Sequence, residues 1–182
     1  MPTRISLLCH GRTQAQRHGR FALDDEPLEA GEAQRLAARV AEIKAPRRIL
    51  CAPEWRARQT AAAWHGDVEL LDVLRDCDYG AWRGRSLAAL QEEAAPALAE
   101  WLSDPASAPH GGESQAHLCA RIGAWLDGFG DDGHILVVSH PAVIRAAVLH
   151  ALQAGAQAFN CIDVAPLALV DLRFHGRWRL RL

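Results

Sequence analysis

Two runs of apolar, β-prone residues each stop at a histidine followed by turn chemistry. Residues 5–9 lead into His10-Gly11, and residues 135–139 lead into His140-Pro141. Their near-continuous apolar character predicts strands over 4–9 and 134–139 that are buried on both faces, as in a parallel sheet. Between them lie a polar, turn-rich stretch at 11–25, an amphipathic helix at 29–43 opening after Pro27, and a short strand at 48–51. A helix with Pro53 in its first turn then runs to about Trp64, followed by a strand at 68–73 and a loop at 76–86. The pattern continues with a helix at 87–102 interrupted at Pro96, a loop at 103–112, a helix at 113–129 and a turn at 130–133. After the second histidine, Ser139 is expected to cap a helix with Pro141 at its first position. Strands at 162–165 and 168–174, and a short one around Trp178, complete the chain. This alternation predicts a three-layer α/β/α sandwich with a mainly parallel central sheet, in one domain spanning 1–182. Ligands then bind at the carboxyl ends of the strands, where the two histidines can meet.

Composition narrows the function classes. At 182 residues and 49% hydrophobic, the chain can bury a substantial core as one soluble globular domain. No apolar stretch reaches the roughly 20 residues that span a bilayer, and Met1-Pro2-Thr3-Arg4 leads into too short an apolar run for a secretory signal. The expected location is the cytoplasm. The cysteines at 9, 51, 77, 119 and 161 form no CxxC pair, which suits free thiols in a reducing compartment and no metal site. With 20 basic against 22 acidic side chains, bulk charge attracts neither nucleic acid nor a membrane. Neither a fixed-period repeat nor a linker divides the chain; a homodimer is the base-rate expectation.

A strand-to-helix junction offers unpaired N–H groups and the positive end of a helix dipole, which suits phosphate. His140 lies at one such junction. Residues 51–56 form a second, with Arg56 on the first helical turn, where a guanidinium can hold phosphate oxygens as a bidentate fork. The residues therefore sketch an anion site containing imidazoles.

The stretch Leu7-Leu8-Cys9-His10-Gly11-Arg12-Thr13 resembles the Leu-Val-Arg-His-Gly-x-Thr opening of the histidine phosphatase superfamily, the phosphoglycerate-mutase-like group. Further matches follow in order: Gly19-Arg20-Phe21, Pro27-Leu28 with Gly31 and Gln34, and Pro53 with residues 56–61. Leu74-Arg75-Asp76 with Tyr79-Gly80 and Trp82, Gly111-Gly112-Glu113-Ser114, and residues 137–140 with 143–145 complete the series. The resemblance implies a metal-independent hydrolysis of small phosphate monoesters with no cofactor. It makes His10 the nucleophile, Arg56 and His140 the holders of the phosphoryl oxygens, and Asp76 the acid where the family has glutamate. Glu113 is the alternative acid or a helix-start residue. Gly11, Arg12, Thr13, Gln16, Arg17, Arg20, Trp82, Pro141 and Ala142 are expected around the substrate.

One departure is sharp: Cys9 stands where the family has a phosphate-binding arginine, and Arg12, Arg17 or Arg20 is expected to reach in instead. His18, in Arg17-His18-Gly19, follows no apolar strand and mimics the motif. Two alternatives stand beside hydrolysis. One is a catalytically impaired phospholigand-binding or interaction domain, motivated by Cys9 and Asp76. The other is a mutase-type phosphotransferase, for whose lid elements the chain has little room.

Overall fold

The computed structural model describes residues 3–181, so the Met1-Pro2 lead into the first strand lies outside the described residues. Six strands form one mixed sheet: β1 (Arg4–Cys9), β2 (Arg48–Cys51), β3 (Val68–Leu70), β4 (His134–Ser139), β5 (Leu169–Phe174) and β6 (Trp178–Arg181). Their order across the sheet is β3-β2-β4-β1-β5-β6. The first four are parallel and the last two antiparallel. In β1 and β4, all residues after the first are buried. Successive side chains of a strand point to opposite faces, so unbroken burial requires cover on both sides. That is the physical content of the three-layer expectation.

The helices are α1 (Gln14–Arg17), α2 (Glu32–Glu42), α3 (Trp55–Ala61), α4 (Leu87–Glu93), α5 (Ala95–Ser103), α6 (Gln115–Asp127) and α7 (Pro141–Leu152). α6 packs on α7, α7 lies against β1 and β6, and α3 lies against β2 and β4. Among the described residues no helix is long and apolar enough to cross a membrane.

Several expectations need correction. Residues 162–165 are not a strand: the preceding segment is a 3₁₀ helix at Ala156–Cys161, and the strand starts only at Leu169. The strand expected at 68–73 stops at Leu70 and turns into a 3₁₀ helix at Asp72–Leu74. The helix expected at 87–102 is two helices broken at Ala94, with Pro96 in the first turn of the second. A proline lacks the N–H that an interior turn needs, and there it costs nothing. Pro53 precedes α3, which Glu54 starts and which ends at Ala61. Ser139 does not cap α7; it is the last residue of β4 and its hydroxyl donates to the Leu74 carbonyl at 2.8 Å. His140 holds the cap position, with Pro141 in the first turn as expected.

One loop crossing bears on the site. The chain at Asp78–Gly80 passes the chain at His110–Gly112 backbone against backbone. The Ala81 N–H donates to the His110 carbonyl at 2.9 Å and the Glu113 N–H to the Asp78 carbonyl at 2.7 Å. A Cβ at Gly80, whose φ is +45°, would collide with the His110 carbonyl oxygen, and one at Gly112 with the Asp78 carbonyl oxygen. Only glycine permits so close an approach.

Candidate active site

The register of the two central strands brings the histidines together. Cys9 of β1 pairs with Ser139 of β4, so His10 and His140 each emerge one residue beyond the same level of the sheet. The His10 N–H donates to the Ser139 carbonyl at 2.9 Å. The two imidazole centroids lie 5.2 Å apart, edge to face. On the other side of β4, β2 runs parallel in register Cys51↔Val138 and delivers α3, hence Arg56, to the same end of the sheet.

His10 is buried, and its Nδ1 is 2.7 Å from the Gly11 carbonyl. A carbonyl only accepts, so Nδ1 carries the proton and Nε2 keeps its lone pair. Burial lowers the His10 pKa to about 3, with His140 and Arg56 adding to the shift. The ring is therefore neutral at physiological pH, as a nucleophile must be. Gly11 seats this turn: its N–H donates to Thr60 Oγ1 at 3.0 Å, and a Cβ there would stand 3.0 Å from Glu32 Oε2.

Arg56 is 2% exposed, and its guanidinium donates to Asp76 Oδ2 at 2.7 Å and to the Leu23 carbonyl at 2.8 Å. Asp76 Oδ2 is also 3.5 Å from His140 Nδ1. Burial works to raise the Asp76 pKa, but His140 and Arg56 outweigh it and hold the carboxyl below its ordinary range. Two buried donor positions stay open: among the described residues, Arg56 Nε and His140 Nδ1 have no hydrogen-bond partner. A buried polar atom without a partner is costly unless a ligand meets it.

A recess of about 130 Å³ joins these groups. Of the expected residues, His10, Arg56 and Asp76 border it, as do Thr13, Gln16, Arg20, Pro141 and Ala142. His140, fully buried, stands behind them against His10. Thr13 and Gln16 are fixed by a reciprocal capping box at the start of α1. The first turn of α7 adds N–H groups without intrahelical acceptors at the recess wall.

Five expected residues lie elsewhere. Gly11 holds His10 through its carbonyl rather than bordering the recess. The Arg12 side chain is exposed, and its backbone N–H is taken by Glu32. Arg17 is exposed and faces Glu29 at 3.8 Å. Trp82 is buried in an aromatic cluster with Phe21, Tyr79 and Trp101, so it backs the recess wall without reaching it. Glu113 is chelated by Arg121, at 2.8 Å to Nε and 2.7 Å to Nη2, which removes it from the site.

Two residues that sequence reasoning misses complete the arrangement. Glu54, 8% exposed, accepts from His140 Nε2 at 2.7 Å and from the Asp76 N–H at 2.9 Å. Burial pushes its pKa up, but the His140 contact outweighs it and keeps the carboxylate ionised. Arg145, on α7, borders the recess; its Nε donates to the Ile162 carbonyl at 2.6 Å and its guanidinium lies 5.6 Å from the Phe159 ring centroid. Among the described residues it is paired with no carboxylate. By contrast Arg20, the loop arginine that does border the recess, is tied to Glu26 at 2.9 Å. Cys9 is fully buried, and burial and nearby Asp76 push its thiol up to about 12, so it stays neutral. Among the described residues no group of three or more histidines, cysteines or carboxylates is arranged to hold a metal ion.

The neutral burial of His10 has a stability consequence. Between about pH 6.5 and pH 3 the unfolded chain binds a proton at His10 that the folded chain refuses. Stability therefore falls as pH drops through this window, by up to about 1.4 kcal/mol per pH unit. Asp76 and Glu54, held below their ordinary range, add a further loss in the same direction at lower pH. Urea unfolding at pH 7, 6 and 5 should show a shallower pH slope for His10→Gln than for the parent chain. Equal slopes would show that His10 protonates freely in the fold.

Comparison with known proteins places this arrangement. The chain is 31% identical over 197 aligned residues to the bifunctional protein Rv2228c of Mycobacterium tuberculosis; the match takes in 100% of the chain but 53% of that protein, so the chain spans about half its length. It is 32% identical over 160 residues to the adenosylcobalamin/alpha-ribazole phosphatase of Salmonella typhimurium, covering 82% of this chain and 79% of that one. The native structure of mycobacterial glucosyl-3-phosphoglycerate phosphatase Rv2419c superposes with a TM-score of 0.85 at 25% identity, over 99% of this chain and 97% of that chain. A family profile matches residues 5–182, and on that match the chain belongs to the histidine phosphatase superfamily, branch 1.

Proposed function

We propose that this chain hydrolyses small phosphate monoesters through a phosphohistidine formed on His10. The observation that carries the reading is the strand register that seats His10 beside His140 at one recess with Arg56. The phosphatase names of the relatives point the same way.

Nε2 of His10 attacks phosphorus in line with the ester oxygen; the N–P bond forms as the P–O bond breaks. Arg56, His140 Nδ1 and the first turn of α7 hold the phosphoryl oxygens and meet the charge that builds there. Asp76 is ionised, because His140 and Arg56 together outweigh its burial. A phosphate dianion competes for that guanidinium and adds a like charge, and both effects raise the carboxyl pKa. Asp76 thereby takes a proton as substrate binds and gives it to the leaving alkoxide. In the second half it removes a proton from water, which attacks phosphorus and breaks the N–P bond. Glu54 is a positioning residue: it accepts from His140 Nε2, orients the ring with Nδ1 toward the recess, and as a carboxylate balances the second ring proton with which Nδ1 donates to a phosphoryl oxygen. Arg145 supplies the positive charge that Cys9 does not.

A phosphate-binding domain without turnover is the second reading, and Cys9 is the observation that favours it. Free thiols, three of the five buried, fit a cytoplasmic setting. The deciding experiment is a rapid quench with radiolabelled p-nitrophenyl phosphate. An acid-labile, base-stable phosphoryl-enzyme that maps to His10 is expected. Nitrophenol release without that adduct would overturn the covalent route, and phosphate binding without release would favour the second reading.

A further inference from the structure

A second and larger cavity, of about 390 Å³, adjoins the phosphate recess. Ala22, Arg56, Asp76 and Tyr79 border both. An ester with its phosphoryl group against His10 and its bridging oxygen at Asp76 projects its alcohol portion into this chamber. The volume is in the range of small-molecule sites.

The charge of the chamber is unusual for a site that accepts anions. Three guanidinium groups line it, and each is already engaged. Arg56 holds Asp76 at 2.7 Å, Arg75 holds Asp72 at 2.7 Å, and Arg83 spans Asp24 at 3.2 Å and Asp78 at 3.1 Å. Glu54, the fifth carboxylate of the lining, is held by His140 at 2.7 Å. Five carboxylates against three guanidinium groups leave a formal surplus of two negative charges. No arginine of the lining remains to meet a second anionic group on the substrate. The Nε of Arg56 is buried without a partner, and Arg56 borders the recess as well as the chamber, so its open donor position is assigned to the phosphoryl group. Cationic groups of the recess, Arg20 and Arg145, line the recess and not the larger chamber.

We infer that the chamber selects phosphate monoesters whose alcohol portion is neutral or cationic and rejects those carrying a second acidic group. A carboxylate there would lose hydration and face the chamber's surplus of negative charge, whereas hydroxyls find acceptors and an ammonium finds opposite charge. Because Asp24 and Asp72 are exposed, the discrimination is screened by salt. The inference rests on the phosphatase reading above.

Glycerol 3-phosphate and 3-phosphoglycerate differ only by a hydroxymethyl group against a carboxylate, so they isolate the charge. With p-nitrophenyl phosphate as the generic ester, kcat/KM is expected to be at least tenfold higher for glycerol 3-phosphate than for 3-phosphoglycerate at low salt. Phosphoethanolamine should also exceed 3-phosphoglycerate. The ratio should shrink between 20 and 500 mM NaCl, and fall toward one in the double variant Asp24→Asn, Asp72→Asn. Turnover of the generic ester with a ratio of one, or with 3-phosphoglycerate preferred, would overturn this inference and leave the phosphatase reading standing. A ratio that persists unchanged in the double variant and at high salt would also overturn it, because the preference would then be steric. Failure to hydrolyse the generic ester would overturn both.

Discussion

Turnover of p-nitrophenyl phosphate should fall by about 10⁴-fold or more in His10→Ala, while His18→Ala keeps most of it. Both histidines sit in a similar local sequence, but only one is aimed. His10 is buried, locked by the Gly11 carbonyl and 5.2 Å from His140. His18 is exposed at the end of α1, with its Nδ1 bound to the Gln14 carbonyl at 2.9 Å. In-line attack needs a nucleophile held within reach and direction, and that geometry exists only at His10. Steady-state rates for the two variants, with phosphoryl trapping on each, check the assignment. Equal losses, or a phosphoryl adduct that survives in His10→Ala, would reassign the nucleophile.

Arg145→Met should weaken inorganic phosphate binding by about 10- to 100-fold, the usual worth of a charge-assisted hydrogen bond of about 1.5 to 3 kcal/mol. Methionine keeps an apolar stem over Phe159 and removes the charge. The same reasoning changes what Cys9→Arg is expected to do. Taken from the sequence alone, restoring the family arginine strengthens binding unless Arg12, Arg17 or Arg20 already fills the vacancy. With Arg145 bordering the recess and free of carboxylates among the described residues, Cys9→Arg in the parent chain should add little. In the Arg145→Met background it should recover binding. Titration calorimetry with phosphate at fixed ionic strength, with folding checked by circular dichroism, measures the four combinations. Parent-like binding in Arg145→Met, or an equal gain from Cys9→Arg in both backgrounds, would return the site to a simple deficit at position 9.

What the sequence discloses here follows the range of the forces involved. β1 and β4 are legible because burial on both faces writes an unbroken apolar run. Their mutual register is a tertiary pairing with no local trace, so the 5.2 Å approach of the two rings emerges only in three dimensions. Arg56 is legible from its place one turn into a strand-to-helix junction. Glu54, two residues earlier, reads as an ordinary helix-start carboxylate. Its contact with His140, 86 residues away, carries no sequence signal. Arg145 sits in α7 among apolar residues, with His150 in the last turn the other polar side chain, and a lone arginine among buried neighbours is the signal that could have marked it. Arg12 and Arg17 do not border the recess, because loop proximity in sequence says nothing about side-chain direction. Glu113 lies away from the recess because Arg121, two helical turns along, pairs with it instead. The strand expected at 162–165 has β-prone residues but pairs with no strand, and the place beside β1 is taken by β5.

The glycine-on-glycine crossing beside Asp76 has a consequence for how such a site can change over time. The segment that carries Asp76 is pinned by main-chain contacts at Gly80 and Gly112, not by the identity of the carboxylate itself. Exchanging aspartate for glutamate there lengthens the arm by one methylene while its root stays put. Drift between the two carboxylates is therefore a short step in sequence space, open to adjustment by small shifts of Arg56 and the substrate. The two glycines that make that step tolerable leave far less room for variation, although neither borders the recess.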